Sequence, residues 1–291
     1  MTYDTTAPVT GTPVFGGMTR RQLDAAYNNT EAVSDSHQRM DDWVQHSTRL
    51  RQAENAIVDI AYGAAPANKC DFFKAGSPGQ GLFIFIHGGY WQRNSKNMFA
   101  FVSAGLCARN INVATIGYTL APHASLSDIV AEVFAAVDML ITQHRELGFD
   151  PGNVFVGGWS AGGHLSAILA EHPAVKGVAP ISGIFDLMPI SMCYLDEKLT
   201  LTADEITALS PMNRDVPSDT ELVLFAGALE LPELQRQTRD YASRLNRLGH
   251  KVTHHLVPNR NHYSILDELR DDNGIITNVL ADLIGVQTTP A

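Results

Sequence analysis

The feature that most constrains this chain is a series of short, continuously apolar runs separated by longer segments with helical spacing. Residues 82–86 read Leu-Phe-Ile-Phe-Ile and residues 154–156 read Val-Phe-Val, without the polar alternation of a strand that faces water. Such runs are typical of parallel strands that are covered on both faces. The repeated strand and helix segments therefore predict an α/β fold with a mostly parallel central sheet of about eight strands, flanked by helices.

The element limits follow from the same patterns. Strands are predicted near 57–62, 69–73, 82–86, 111–116, 153–157, 176–181, 221–226 and 251–257, and helices near 96–109, 125–146, 161–171, 232–248 and 275–284. Residues 18–51 are polar with apolar residues at helical spacing, which predicts a helical extension. We expect an N-terminal helical arm or cap at 1–55 and an α/β domain at 56–291.

Charge and composition exclude several functions. The chain has 21 Lys and Arg and 31 Asp and Glu, which gives a formal net charge of −10 at pH 7. This negative charge disfavours binding to nucleic acid phosphates. The apolar runs fall short of the roughly 20 residues that span a bilayer, so no membrane partner is expected. Without a signal-peptide pattern, the N-terminal residues predict a cytoplasmic protein. No metal-ligand spacing and no phosphate or dinucleotide loop is present, so we expect no metal and no cofactor.

One motif between a predicted strand and a predicted helix points to chemistry. Residues 158–162 read Gly-Trp-Ser-Ala-Gly, and Gly-x-Ser-x-Gly in this setting is typical of a sharp turn that exposes a nucleophilic serine. Glycine is expected at positions 158 and 162 because strand and helix approach closely around the turn, where a side chain would collide. The five-residue pattern alone is weak evidence for a nucleophile. Its position between a strand and a helix is what favours Ser160.

A second glycine-rich segment follows the strand at 82–86. His87-Gly88-Gly89-Tyr90-Trp91 lies upstream of the serine, where an oxyanion loop belongs. Backbone N–H groups in such a loop stabilise the negative charge of a tetrahedral intermediate. The predicted oxyanion hole comprises Gly88, Gly89, Tyr90 and Ala161, with the N–H groups of Gly89, Tyr90 and Ala161 as the expected donors.

A serine nucleophile requires a base and an acid that follow it in chain order. His262 lies in a loop after the strand 251–257 and is the predicted base. Glu230 is the first carboxylate after the strand 221–226 and is the favoured acid. Glu233 and Asp186 remain alternatives, although Glu233 follows a proline that suits a first helical turn.

These residues resemble the α/β-hydrolases, and more closely the kynurenine formamidase (arylformamidase) branch beside the hormone-sensitive-lipase-like esterases. The resemblance covers most of the chain. It is carried by Leu23-Asp24-x-x-Tyr27-Asn28, Ala61-Tyr62-Gly63, His87-Gly88-Gly89-Tyr90-Trp91, Tyr118-Thr119-Leu120-Ala121-Pro122, Gly158 to Leu165, Glu230-Leu231-Pro232-Glu233 with Arg236-Gln237, and Asn261-His262-Tyr263. His-Gly-Gly-Tyr-Trp is the most diagnostic, since the lipase-like branch usually has a third glycine where Tyr90 stands.

The resemblance implies hydrolysis of an N-formyl aryl amide such as N-formylkynurenine, with release of formate. Two departures bear on the substrate: Glu230 stands where the animal enzymes typically have Asp, and Trp159 stands where His is common. An aromatic pocket of Tyr90, Trp91 and Trp159, together with the arm around Tyr27 to Trp43, is expected to hold the leaving group. The alternatives are a carboxylesterase for short-chain or aryl esters, a hydrolase for another amide or carbamate, and a catalytically silent binding protein. The expected partner is a small amide or ester, and the sequence leaves open whether a homodimer forms.

Overall fold

A computed structural model describes residues 11–76 and 81–284. The predicted eight-stranded sheet is confirmed, and each strand begins and ends within two residues of its predicted limits. Its strands are β3 (Ala56–Ala61), β4 (Lys69–Phe73), β5 (Leu82–Ile86), β6 (Asn112–Ile116), β7 (Val154–Trp159), β8 (Gly177–Ile181), β9 (Glu221–Gly227) and β10 (Val252–Val257). An additional short antiparallel pair, β1 (Pro13–Phe15) and β2 (Met18–Thr19), was not predicted.

The order of the strands places a crevice at the centre of the sheet. The order is β10-β9-β8-β7-β5-β6-β4-β3, with the six strands from β10 to β6 parallel and with β4 and β3 antiparallel to their neighbours. From β5 the chain runs first to β6 on one side and then to β7 on the other. Ligands of open α/β sheets bind outside the carboxyl ends of the strands at such a switch point, which here lies between β5 and β7.

The helices cover both faces of the sheet. In the arm they are α1 (Arg20–Ala26), α2 (Asn29–Ala32) and α3 (Ser36–Arg51). The others are α4 (Ser103–Ala108), α5 (Leu126–Thr142), α6 (His144–Leu147), α7 (Ala161–Ile168), α8 (Met188–Ser191), α9 (Asp196–Leu199), α10 (Ala203–Leu209), α11 (Pro232–Arg247), α12 (Asp267–Arg270) and α13 (Ile275–Ile284). None of the described helices is both long and apolar enough to cross a membrane.

Two helical regions differ from the prediction. The helix predicted at 96–109 begins as two 3-10 turns, Lys96–Met98 and Ala100–Val102, before α4. Lys96 anchors this segment through ion pairs to Asp71 and Asp59 rather than through a regular helical turn. Helices α8, α9, α10 and α12 were missed because four to seven residues are too few to reveal a helical period.

The alternation of side chains on the central strands builds two separate cores. On one face of the sheet, Ile84 of β5 packs in a core with Val156 of β7. On the other face, Phe83 and Phe155 pack together with Trp43 of α3. Both sets are fully buried, which is why these strands are apolar at every position.

The N-terminal arm contributes to both cores. Leu23 of α1 and the neighbouring Tyr27 are buried in the first core, whereas Trp43 of α3 is buried in the second. Because the cores lie on opposite faces of the sheet, the chain between α1 and α3 must pass around the sheet. The α2 helix is part of this segment and lies at the carboxyl ends of β5 and β7.

Candidate active site

Ser160 occupies the turn between β7 and α7. Its backbone dihedrals are φ 58° and ψ −117°, an unfavourable combination for a residue with a side chain and typical of the strained serine turn. The Ser160 N–H donates to the Ile181 carbonyl at 2.9 Å, which holds the turn against β8. A Cβ on Gly162 would overlap the Ile86 carbonyl oxygen, and one on Gly158 would overlap the Gly162 carbonyl. The glycines therefore have the steric role that the motif predicts.

The structure brings His262 and Glu230 together from two different loops. Glu230 lies in the turn after β9, and His262 lies in the loop after β10. The His262 Nδ1 is 2.8 Å from the Glu230 Oε2, and both side chains are buried. Since a carboxylate can only accept, Nδ1 carries the proton and Nε2 is the ring nitrogen left free to act as a base.

The second oxygen of Glu230 is held by two donors. Its Oε1 accepts from the Ser182 hydroxyl at 2.5 Å and from the Gly227 N–H at 2.6 Å. These contacts fix the carboxylate so that Oε2 faces His262. Sequence reasoning missed Ser182, although its position directly after β8, at the same edge of the sheet as the other loops, was an available signal.

The two alternative acids have other partners. Glu233 forms an ion pair with Arg236 at 2.8 Å and accepts from the Tyr27 hydroxyl at 3.2 Å. Burial above all, and then the charge of Glu233, raises the pKa of Tyr27. Asp186 accepts from the Met188 N–H at 2.9 Å. Glu233 thus anchors the arm, and Asp186 holds the start of α8.

The loop after β5 is held in a conformation that side chains rarely adopt. Three successive residues have positive φ, namely Gly89 at 116°, Tyr90 at 53° and Trp91 at 58°. The Gly88 carbonyl accepts from the His87 Nδ1 at 2.9 Å and from the Asn94 Nδ2 at 3.1 Å. Because a peptide group is planar and trans, fixing that carbonyl also fixes the Gly89 N–H in the opposite direction.

Several N–H groups near Ser160 are unpaired. Within residues 11–76 and 81–284, no hydrogen bond is found for the N–H groups of Gly89, Tyr90 and Ala161. Ala161 is the first residue of α7, where a helical N–H has no partner within the helix. Three donors are thus available close to the serine, as an oxyanion hole requires.

His87 supports this loop as a neutral group. Burial is the main effect on its ring and lowers its pKa to about 4. The ring stacks on Tyr118, with 4.3 Å between centroids, and the Tyr118 hydroxyl donates to the His87 carbonyl at 3.0 Å. The backbone just before Gly88 is therefore held from the β6 side.

A cavity of about 250 Å³ contains both Ser160 and His262. Its lining combines residues of the loop after β5, the serine turn, the histidine loop and the arm: Asn29, Thr30, His37, Met40, Gly89, Tyr90, Arg93, Asn94, Trp159, Ser160, His262 and Tyr263. The cavity therefore opens at the switch point of the sheet. The following lining residues were not individually predicted from the sequence as part of the site: Asn29, Thr30, His37, Met40, Arg93 and Asn94.

The predicted aromatic pocket requires one correction. Tyr90 and Trp159 line the cavity, but Trp91 does not. Trp91 is fully buried, and its ring meets His164 edge-on at 4.9 Å in the core. The successive positive φ values at residues 90 and 91 turn the two side chains in different directions. Gly88 and Ala161, both predicted for the oxyanion hole, are also absent from the lining, although each adjoins a residue that belongs to it.

Trp159 supports the histidine loop. Its indole Nε1 donates to the His262 carbonyl at 2.7 Å, and its ring lies 4.8 Å from the imidazole. On its other side it meets Trp43 of the arm at 5.6 Å. The residue before Ser160 thus links His262 to the arm.

The arm is fastened to the cavity wall by hydrogen bonds. The Tyr90 hydroxyl donates to the Tyr27 carbonyl at 2.6 Å and accepts from the Asn29 Nδ2 at 2.8 Å. Thr30 and Tyr263 share a hydroxyl contact of 2.8 Å. The arm consequently forms part of the site, whereas the sequence suggested only a loose aromatic contribution from it. No group of three metal-ligating side chains occurs in the part of the chain that the structure describes.

Known proteins share this arrangement of elements. A family model described as the alpha/beta hydrolase fold matches residues 83–266. Kynurenine formamidase from Danio rerio is 29% identical over 252 residues, which is 81% of this chain and 85% of the relative. Kynurenine formamidase from Salmo salar is 30% identical over 254 residues, with the same coverage.

A solved structure gives the same result for the fold. It is the crystal structure of a protein from Silicibacter sp. that has been proposed to be a thioesterase. It is similar to this chain with a TM-score of 0.81 and 25% identity, over 89% of this chain and 98% of that one.

Proposed function

This chain belongs to the α/β-hydrolase family, and on that premise we propose that it is a serine hydrolase that cleaves N-formyl aryl amides such as N-formylkynurenine. The observation that carries the proposal is the meeting of Ser160 and His262 in one cavity, with Glu230 hydrogen-bonded to the far side of the imidazole. The choice of an aryl formamide rests on the similarity to the two fish kynurenine formamidases over about four fifths of the chain.

The proposed reaction begins with proton transfer from Ser160 to His262. The Nε2 of His262 accepts the Oγ proton while Oγ attacks the formyl carbon. Glu230 stabilises the resulting imidazolium through Nδ1. Its own position depends on the donors Ser182 and Gly227.

The tetrahedral intermediate places negative charge on the former carbonyl oxygen. The free N–H groups of Gly89, Tyr90 and Ala161 are the proposed donors to that oxygen. One such donor is typically worth about 2.7–4 kcal/mol of transition-state stabilisation. The hydrogen bonds to the Gly88 carbonyl keep this loop from reorganising during the reaction.

The intermediate then collapses with cleavage of the C–N bond. The leaving arylamine takes the proton from His262 Nε2, and the formyl group remains as an ester on Ser160. A water molecule gives a proton to the same nitrogen and attacks the ester. Formate leaves, and the Ser160 hydroxyl is restored with the proton from His262.

The volume and lining of the cavity are compatible with a small acyl group. The cavity holds about 250 Å³, which is below the range of roughly 300–1,000 Å³ for sites that enclose drug-sized ligands. A formyl group requires little of that volume beside Ser160. Tyr90, Trp159 and Tyr263 supply aromatic surface for the arylamine.

Ester hydrolysis is the second candidate function. The Silicibacter protein proposed to be a thioesterase is similar over 89% of this chain. A serine mechanism also cleaves esters, which are chemically easier substrates than amides. The two functions differ in the preferred leaving group and not in the proposed roles of Ser160 and His262.

The test of the mechanism is direct detection of the acyl-enzyme. Rapid mixing with p-nitrophenyl acetate, acid quenching and peptide mass spectrometry should find one acetyl group on the peptide that contains Ser160. The variant S160A should remain folded by circular dichroism, carry no acetyl group and lose turnover. Retained turnover in S160A, or acetylation of another residue at full activity, would overturn the assignment of the nucleophile.

A further inference from the structure

Arg93 is the only arginine or lysine among the described residues that line the cavity. It is exposed, and no carboxylate of residues 11–76 or 81–284 comes within ion-pair distance of it. No Asp or Glu is found among the described residues that line the cavity. Within the part of the chain that the structure describes, the permanently charged guanidinium therefore has no counter-ion.

Arg93 has a side-chain hydrogen bond with Tyr194 but no carboxylate partner among the described residues. Asp and Glu outnumber Lys and Arg by 31 to 21, and most of the arginines near the arm or on α11 are paired. Arg39 binds Asp35 and Asp267, and Arg236 binds Glu233 and Asp240. In a chain with this excess of acid, an arginine without a carboxylate partner at the mouth of a cavity can pair with an acidic group of a bound molecule.

The guanidinium lies close to the residues beside the base. The charge of Arg93 acts on two tyrosines, whose pKa values are raised mainly by burial and are lowered in part by this cation. These are Tyr194 and Tyr263, and Tyr263 lines the cavity next to His262. Arg93 itself follows the loop that carries the proposed oxyanion donors, so it faces the same space as the reacting bond.

We propose that Arg93 binds a carboxylate on the leaving group of the substrate, so that the preferred substrates of this site are acidic arylamides. The planar guanidinium can pair with a carboxylate through two parallel N–H donors. The carboxylate belongs to the leaving group because the acyl side next to Ser160 is where the formyl group is proposed to lie. This inference takes the identity of the cleaved bond from the proposed function. The recognition of a carboxylate by Arg93 does not depend on that function.

The experiment compares a carboxylated substrate with its neutral analogue in matched variants. N-formyl-L-kynurenine is paired with N-(2-acetylphenyl)formamide, which keeps the aryl ketone and carries neither the carboxylate nor the ammonium group. R93Q removes the cation, and R93K keeps the charge without the planar fork. R145Q is the control, because Arg145 is an exposed arginine in α6. This helix precedes β7 and therefore lies at the amino ends of the strands, away from the cavity.

R93Q should raise KM for the carboxylated formamide about tenfold, as expected for a charge-assisted hydrogen bond made by an exposed arginine. The kcat of R93Q and its KM for the neutral formamide should stay within about twofold of the parent. R93K should be intermediate, and R145Q should match the parent on both substrates. Equal effects of R93Q on both substrates, or none on either, would overturn the proposal.

A second substrate pair separates this proposal from the proposed function. The esters 3-acetoxybenzoate and phenyl acetate differ in the same charge on the leaving group. If no formamide is turned over, the proposed function fails, and the ester pair still decides the role of Arg93. If both formamides are cleaved with the same KM in every variant, the proposal for Arg93 fails and the proposed function stands.

Discussion

Replacement of Glu230 by glutamine should disable the proposed base, His262, by reversing the tautomer of its imidazole. In the parent, Oε1 accepts from Ser182 and Gly227, and Oε2 accepts from His262 Nδ1. A glutamine must keep its carbonyl oxygen toward the two donors, so its NH₂ group will face Nδ1. The imidazole then has to accept at Nδ1 and carry its proton on Nε2, where it can no longer take the proton of Ser160.

The magnitude follows from that loss. Removing the charge of a triad carboxylate while keeping its shape lowers kcat by about 10⁴-fold, which corresponds to roughly 5–6 kcal/mol of transition-state stabilisation at about 1.36 kcal/mol for each factor of ten. Because the glutamine keeps the Ser182 and Gly227 contacts, folding should be preserved.

Steady-state kinetics of E230Q with an aryl formamide and with p-nitrophenyl acetate measure the effect, with circular dichroism as the check on folding. D186N and E233Q are the matched controls, since both alternative carboxylates have other partners, and each should keep kcat within about tenfold of the parent. A mild effect of E230Q together with a severe effect of D186N would move the acid to Asp186 and refute the tautomer argument.

Three smaller perturbations have defined outcomes. S182A should lower kcat by about tenfold to a hundredfold without abolishing it, because Glu230 loses one of three donors; a kcat equal to that of the parent would contradict the positioning role. Y90F should lower the free energy of unfolding by about 1–3 kcal/mol in urea titrations, since the arm loses two buried hydrogen bonds, and an unchanged midpoint would show that the arm is held by other contacts. Burial lowers the pKa of His164 to about 4 from 6.5, so the unfolded chain binds the extra proton and stability should fall by about 3 kcal/mol as the pH drops from about 6.5 to about 4. H164Q, which can still donate to Leu209, should show a shallower loss over this window, and an identical pH slope would contradict the prediction.

The central sheet could be predicted closely because its strands carry their own signal. Runs such as residues 82–86 are apolar at every position, since alternate side chains enter cores on both faces. The residues proposed as nucleophile, base and acid could also be selected from the sequence. Chain order and topology require each of them to follow a particular strand, and Ser160, Glu230 and His262 do so.

Other parts of the site depend on contacts that one sequence does not reveal. The hydrogen bond from Ser182 to Glu230 joins residues 48 positions apart, and nothing local marks that serine. Trp91 was predicted to line the pocket together with Tyr90, but the backbone between them turns the Trp91 ring into the core. The arm was predicted as helical, yet its place over the cavity follows from Leu23 and Trp43 packing in different cores.

The most direct measurement is kcat/KM of the purified protein for N-formyl-L-kynurenine beside p-nitrophenyl acetate, with S160A as the blank. The proposed function predicts about 10⁴ M⁻¹s⁻¹ or more for the formamide, within the usual range for enzymes on their own substrates, and no activity above background for S160A. Negligible turnover of the formamide with good turnover of the ester would contradict the formamidase assignment and move the chain to the esterases, with the Ser160 mechanism intact.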